Sequence, residues 1–220
     1  MMIAAVVLAA GSSQRMGEHK LLIQLGGKTV IERAVDNVLN SIADEVIVVT
    51  GFNASQVRKV LAQGGRESAL ESGRLKLIHN PFYQKGQSTS LLAGLREAGE
   101  HVEAVLFSLG DQPFVTPETI NKLIRIYRTR APKPLVVYPE FQGHRGNPVL
   151  FSMEMRARLR QIKGDEGGRS LLEYAKQRAF AVQTDCRGVI FDLDKPEDIA
   201  EARKYWDVRV TENGGGNLCD

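Results

Sequence analysis

The strongest constraint on this 220-residue chain is an uninterrupted apolar run, Ile3 to Leu8. It leads straight into Leu8-Ala9-Ala10-Gly11-Ser12-Ser13-Gln14-Arg15-Met16-Gly17-Glu18-His19-Lys20. An apolar run of that length bounded by glycine predicts a parallel strand buried on both faces, so the polar loop emerges at the strand's carboxyl end. Open α/β sheets bind their ligands there. Gly11 and Gly17 permit close approach of backbone to a ligand, while Ser12, Ser13 and the intervening amides can donate to anionic oxygens. Arg15 offers a planar fork and Lys20 a compact point charge, a pair suited to a triphosphate whose charge shifts during reaction. Two familiar phosphate motifs are excluded. There is no G-x-G-x-x-G, and Gly27-Lys28-Thr29 lacks the earlier glycine of a P-loop because position 22 is Leu22.

Strand and helix patterns alternate along the rest of the chain. Leu21 to Leu25 reads as a short extended piece, and Thr29-x-x-Glu32 as a capping box that opens a helix with Val30, Ile31, Ala34, Val35, Val38 and Leu39 on one face. Val46 to Val49, Leu75 to Ile78 and Ala104 to Leu109 read as further buried strands. Helices through Val57 and Leu61, from Gly86 to Gly99 and from Pro117 to Arg130 separate or follow them, and Gln63 to Arg74 reads as a loop or frayed helix. Leu135 to Tyr138, Val149 to Phe151, Ala179 to Thr184 and Val189 to Phe191 are shorter strand candidates. Ser152 caps a basic helix to Lys163, and another helix spans Ser170 to Arg178. The pattern predicts a three-layer, doubly wound α/β domain with a mostly parallel sheet over 1–208, followed by a disordered tail at 209–220.

Several side chains in this frame have more than one role open to them. Asp111, in Gly110-Asp111-Gln112-Pro113, sits where a carboxylate can hold Mg²⁺ without blocking a substrate. A turn or cap role is the alternative, weakened because Thr116 and Pro117 already start the next helix. Gly86-Gln87-Ser88-Thr89-Ser90 opens a helix whose free amides either face an anion or base edge or are simply capped. Asp194 and Glu197 have capping-box spacing around Pro196, which gives Asp194 a structural task; Asp192, on the same face of the extended segment, has none. His144 and Arg145, between Gly143 and Gly146, suit an acidic acceptor or a plain hairpin. Arg169 ends a charged glycine-rich loop from Gly164 that either closes over substrate or merely connects.

Composition removes other classes. A formal charge of +3 with scattered basic residues argues against nucleic acid and anionic membranes as partners. The first strand is too short to span a bilayer and lacks the basic flank of a signal peptide. Cys186 and Cys219, the two cysteines, form no C-x-x-C pair, which implies a reduced, cytoplasmic protein with neither disulfide framework nor cysteine metal site. His19, His79 and His101 have no zinc spacing and read as structural or surface residues.

The segment L-A-A-G-x-S-x-R-M-G-x-x-K resembles the signature of the MobA-like nucleotidyltransferases, the family of the molybdenum cofactor guanylyl- and cytidylyltransferases. With Gly86-x-x-x-Ser90, Gly110-Asp111-Gln112-Pro113, Gly143-His144-Arg145-Gly146-Asn147-Pro148-Val149 and Asp192-x-Asp194-x-Pro196-Glu197-Asp198 in order, the resemblance runs from Ile3 to about Ala202. It implies a Rossmann-like nucleotidyltransferase fold with Leu8, Ala9, Ala10, Gly11, Ser12, Ser13, Arg15, Lys20, Gly86 and Ser90 around the nucleotide. Arg15 and Lys20 would stabilise the departing pyrophosphate, Asp111 and Asp192 would hold Mg²⁺ with Asp194 as the fallback ligand, and His144, Arg145 and Arg169 would face the acceptor. Leu8-Ala9-Ala10-Gly11, where guanylyl-transferring members usually read L-A-G-G, joins the G-D-Q-P segment in favouring CTP and molybdopterin as substrates. A molybdenum hydroxylase would then receive the product. Other expectations stay open at this level: transfer to a sugar or alditol phosphate, an NAD(P)H-dependent oxidoreductase on the same scaffold, and a non-catalytic cofactor insertion factor.

Overall fold

The computed structural model describes residues 2–11, 19–164 and 169–211, with 169–170 and 207–211 described by backbone alone. Ser12, Ser13 and Arg15 therefore lie outside the described residues. Ten strands are present among them: β1 (Ile3–Ala9), β2 (Gln24–Leu25), β3 (Lys28–Thr29), β4 (Glu45–Thr50), β5 (Leu75–His79), β6 (Ala104–Leu109), β7 (Val136–Phe141), β8 (His144–Arg145), β9 (Val149–Ser152) and β10 (Ala179–Gln183). The helices are α1 (Val30–Leu39), α2 (Ala54–Leu61), α3 (Glu67–Glu71), α4 (Gln87–Glu97), α5 (Pro117–Thr129), α6 (Arg156–Leu159), α7 (Arg169–Ala175) and α8 (Pro196–Thr211).

The main sheet runs β10-β7-β9-β6-β1-β4-β5, with β8 added to β7 as a hairpin, and β2 pairs separately with β3. β6, β1, β4 and β5 are mutually parallel, β9 is antiparallel to both β6 and β7, and β10 is parallel to β7. The expected three-layer, mostly parallel α/β architecture is what the chain adopts. Its origin is visible in β1, where strand alternation sends Ile3, Ala5, Val7 and Ala9 into one core with α1, α2, α5 and α8. Ala4 and Val6 enter the other, with α4, α6 and α7. From β1 the chain builds outward through β4 and β5, then crosses to the other flank of β1 with β6. The strand order thus reverses between β1 and β6, which opens a crevice at their carboxyl ends.

Local chemistry explains the helix starts. Thr29 and Glu32 form the expected reciprocal capping box of α1, Thr116 caps α5 with Pro117 behind it, and Ser152 caps the turn after β9.

Some sequence-based expectations need correction. The basic helix after Ser152 is only a 3₁₀ turn, Met153–Met155, and the single α-turn of α6, whose Arg156 is drawn to the Leu95 and Gly99 carbonyls and Arg158 to the Tyr174 ring. Leu21 to Leu25 begins as a 3₁₀ turn, Lys20–Leu22, before β2. The strand expected at Val189 to Phe191 is another 3₁₀ turn, Arg187–Ile190. Gly188 lies so close to the Phe114 carbonyl that a Cβ would stand 2.5 Å from its oxygen, and a Cβ on Gly146 would stand 2.4 Å from the Val189 oxygen. That wedged segment packs against loops and does not join the sheet. Helix α8 is described through Thr211, and residues 212–220 lie outside the described residues. Cys186 is disulfide-bonded, which corrects the expectation of a reduced protein without a disulfide. Among the described residues no helix is long and apolar enough to cross a membrane.

Candidate functional site

The crevice between β1 and β6 is a cleft of about 1110 Å³. Leu8 and Leu109, paired across the two strands, form its base, and Ala9, Ala10 and Gly11 carry the chain out over it. Among the described residues, a Cβ on Gly11 would meet no atom within 4 Å.

Lys20 enters this cleft at the head of its 3₁₀ turn, anchored by the buried side chain of Leu21. Its ammonium lies 2.5 Å from Asp111 Oδ2 and 2.7 Å from Asp194 Oδ1, with the lysine side chain 13%, Asp111 18% and Asp194 52% exposed. Burial by itself would lower the lysine pKa, but Asp111 and then Asp194 more than offset it, and the group is held above its ordinary value.

Asp192 stands behind this pair. The cleft is lined by Asp111 and Asp194, whereas Asp192 is set back, its Oδ1 accepting from Gln112 Nε2 at 2.5 Å. Burial, then the negative charge of Asp111, pushes its carboxyl up to about 6, against the pull of the Gln112 amide and of Lys20. The two carboxylate segments are tied together by Leu193 N–H donating to the Asp111 carbonyl at 3.2 Å.

Asp194 does not cap α8 as its spacing suggests. Asp198 accepts from the backbone N–H groups of Asp194 and Lys195 at 2.9 and 2.8 Å, leaving the Asp194 side chain to Lys20. The structure thus brings Lys20, Asp111 and Asp194 into contact and sets Asp192 beside them.

The opposite wall comes from the start of α4. Gly86 and Ser90 line the cleft, and the Ser90 hydroxyl accepts from Asn80 Nδ2 at 2.9 Å. Phe52, Tyr83, Gln84, Lys85 and Gln87 also line it. Sequence reading missed these, although each follows the carboxyl end of a parallel strand, the position from which such sheets reach their ligands. Phe52 stacks on His19, ring centroids 5.4 Å apart and planes 3° from parallel.

Arg145 borders a second, smaller cavity of about 80 Å³ with Asn147 and an apolar lining that includes Leu91, Phe107, Val149 and Phe151. Leu8, Gln87 and Leu109 belong to both cavities, so the two are contiguous. His144 is exposed on the β7–β8 hairpin and lines neither. The Arg169 side chain lies outside the described residues.

The carboxylates fit a hard divalent cation in one particular way. Among the described residues no group of three or more His, Cys, Asp or Glu side chains is arranged to hold a metal ion by itself. Two carboxylates with oxygen donors only match Mg²⁺ or Mn²⁺ held jointly with phosphate oxygens, the usual arrangement for these ions.

Sheet order and cleft position define an open α/β protein with its cleft at the carboxyl ends of the parallel strands, where such sheets bind ligands. Residues 5–180 match the MobA-like NTP transferase domain, and the chain belongs to that family of nucleotidyltransferases. It is 29% identical to the purine catabolism protein PucB of Bacillus subtilis, over 92% of this chain and 96% of PucB. It is 25% identical to the molybdenum cofactor cytidylyltransferase of Escherichia coli, over 93% and 97% of the two chains. Rv0371c of Mycobacterium tuberculosis, in its complex with manganese, superposes with a TM-score of 0.71 at 25% identity, covering 93% of this chain and 99% of that one.

Proposed function

We propose that this protein transfers the CMP moiety of CTP to the terminal phosphate of molybdopterin, releasing pyrophosphate and forming a dinucleotide joined through a pyrophosphate bridge. The observation that carries the reading is the Lys20 ammonium held between Asp111 and Asp194 at the mouth of the β1–β6 crevice. A cation on a short tether beside paired carboxylates is what a reaction needs when negative charge is gathered, then released as pyrophosphate.

In this reading Ala10 and Gly11 pass along the triphosphate, and the α4 start with Ser90 and Gln87 faces the nucleoside. Asp111 and Asp192 hold the divalent cation, with Asp194 at the rim. That cation, when bound, neutralises phosphate charge and orients the α-phosphate for in-line attack. Lys20 moves from the carboxylates to the β- and γ-phosphates, joined there by Arg15, and stabilises the charge that develops on the leaving group. Arg145 and Asn147, with the apolar cavity behind them, receive the acceptor, whose phosphate oxygen attacks the α-phosphorus. Leu8-Ala9-Ala10-Gly11, Gly110-Asp111-Gln112-Pro113 and the likeness to the Escherichia coli cytidylyltransferase support CTP and molybdopterin. A molybdenum hydroxylase as recipient of the product follows from the same support.

The test is pyrophosphate release with Mg²⁺ and molybdopterin, offering CTP, GTP and ATP in turn. Release with CTP well above the other two is expected. A preference for GTP would overturn the base assignment. Silence with all three, in folded protein, would overturn the acceptor and direct the search to sugar and alditol phosphates.

A further inference from the structure

Gln112 has no part in the reaction just described, yet it is 2% exposed and sits directly behind the carboxylates. Its Nε2 donates to the Val189 carbonyl at 3.2 Å and to Asp192 Oδ1 at 2.5 Å. Both partners are acceptors, so turning the amide over would set oxygen against oxygen twice, and its orientation is fixed. The bond from Gln112 is the one hydrogen bond that the described residues give the Asp192 carboxylate, because Lys20 is engaged with Asp111 and Asp194. Gln112 Oε1, buried as well, accepts from no donor among the described residues. Buried acceptors are ordinarily satisfied; of the four buried side-chain atoms that lack a partner among the described residues, Gln112 Oε1 is the one beside Asp111 and Asp192, where a partner from outside the chain would complete it.

We propose that Gln112 is the positioning residue of the divalent cation site. It fixes Asp192 through Oδ1, leaves Oδ2 without a donor among the described residues and so open to the cation, and offers its own Oε1 to a water of the cation's hydration shell. The inference rests on the reading of Asp111 and Asp192 as the cation's ligands. A merely structural Gln112 would tie the Arg187–Ile190 turn to the loop after β6 and do nothing else.

The two roles separate in a Mn²⁺ titration followed by water-proton relaxation, run on the full chain without acceptor, with Mn²⁺ alone and with Mn²⁺ plus CTP or GTP. Gln112→Met keeps the length of the side chain and removes both bonds. It should weaken Mn²⁺ binding about 10-fold or more, the usual effect of losing a group that orients a metal ligand. In an Asp192→Ala background the same substitution should cost less than it does in the parent, because the carboxylate that Gln112 fixes is gone and only the Oε1 contact is left to lose. Gln112→Asn, one methylene too short to span both acceptors, should shift Mn²⁺ in the same direction and serves if the Met variant does not fold.

Mn²⁺ binding within twofold of the parent in folded Gln112→Met, whatever its melting temperature, overturns the proposal. So do additive effects in the double variant, or a parent protein that binds no Mn²⁺ in any arm. A parent that binds Mn²⁺ but releases no pyrophosphate with any nucleotide would defeat the functional reading and leave the Gln112 result standing.

Discussion

The two halves of the sheet are built differently and serve the cleft differently. On one side, β6, β1, β4 and β5 run parallel, and their apolar residues are buried nearly without exception, β5 being less covered than the rest. On the other, β9, β7 and β10 are shorter or half-exposed, mix directions, and are connected by hairpins and 3₁₀ turns. The parallel half presents a row of strand ends that all face one crevice, so Ala10, Gly11, Phe52 and Asp111 converge without long-range adjustment. The mixed half delivers Arg145 and Asn147 through contacts between distant segments, such as Asn147 N–H to the Val189 carbonyl at 2.8 Å. In the proposed reading the parallel half supplies the nucleotide wall and the mixed half the acceptor wall, with Lys20, Asp111, Asp192 and Asp194 on the seam.

That division can be broken most decisively at Asp111. Asp111→Ala removes the carboxylate that pairs with Lys20 and raises Asp192, and it should lower kcat by roughly 10³-fold or more, in line with the loss of a principal charge-stabilising group in phosphoryl chemistry. Pyrophosphate release at saturating nucleotide measures it. Activity within 10-fold of the parent would remove the seam from the chemistry altogether.

Lys20→Met sharpens the same point through two effects of opposite sign. Turnover should fall roughly 10²-fold as the leaving group loses its cation. Mn²⁺ binding in the absence of nucleotide should tighten, because the ammonium that occupies the carboxylates of the free protein is gone. If Mn²⁺ binds the variant more weakly than the parent, Lys20 does not stand in the cation's place.

The contrast between halves also explains what could be read from residues in order. β1, β4, β5 and β6 announce themselves as continuous apolar runs, and the capping boxes and prolines of α1 and α5 mark their own starts, because these signals lie within a few residues of each other. Lys20, Asp111, Gly86 and Ser90 were legible for the same reason, each directly following a strand end or opening a helix. The Arg187–Ile190 turn was not, since what forbids a strand there is Phe114 and Gly146 pressing in from 40 to about 70 positions away. Asp194 has capping-box spacing with Glu197, but Asp198 takes the backbone N–H groups of Asp194 and Lys195 and the Asp194 side chain goes to Lys20, a pairing that spacing along the chain does not encode. Asp192 was legible as a residue with no capping task, but that it stands behind the cleft, with Gln112 as its donor, depends on the fold. Lys85 and Phe52 lacked a motif and were visible only as residues after strand ends.

The seam should also show in pH dependence. Asp192 is held up to about 6 by burial and by Asp111, so proton and cation compete for it, and Mn²⁺ affinity should drop about tenfold per unit below pH 6 and level off above it. Folding follows the same linkage with a definite sign. A carboxyl whose pKa is raised in the folded state, from 3.8 to about 6, binds its proton more tightly there than in the unfolded chain. The stability it contributes is present at low pH and is lost as pH climbs through that interval. Chemical denaturation between pH 4 and about pH 7 should reveal this decline, and Mn²⁺ with nucleotide should cancel it. A Mn²⁺ affinity flat across pH 5 to about pH 7 would take Asp192 out of the ligand set.

The smallest effect is expected on the mixed side of the sheet, and it tests the division directly. Arg145 borders the second cavity with Asn147, contiguous with the nucleotide cleft through Leu8, Gln87 and Leu109 but clear of Lys20 and the carboxylates. An arginine near the surface that meets an acceptor phosphate contributes modestly, because solvent screens the pair and the neighbouring apolar wall supplies the rest of the contact. Arg145→Ala should therefore raise the acceptor KM severalfold, up to about 10-fold, while the KM for CTP and the Mn²⁺ affinity stay put. A matched rise in both KM values would mean that the two walls act as one site. A rise in the CTP KM alone would place Arg145 on the nucleotide and leave Asn147 and the apolar lining as the only acceptor contacts proposed on this side of the cleft.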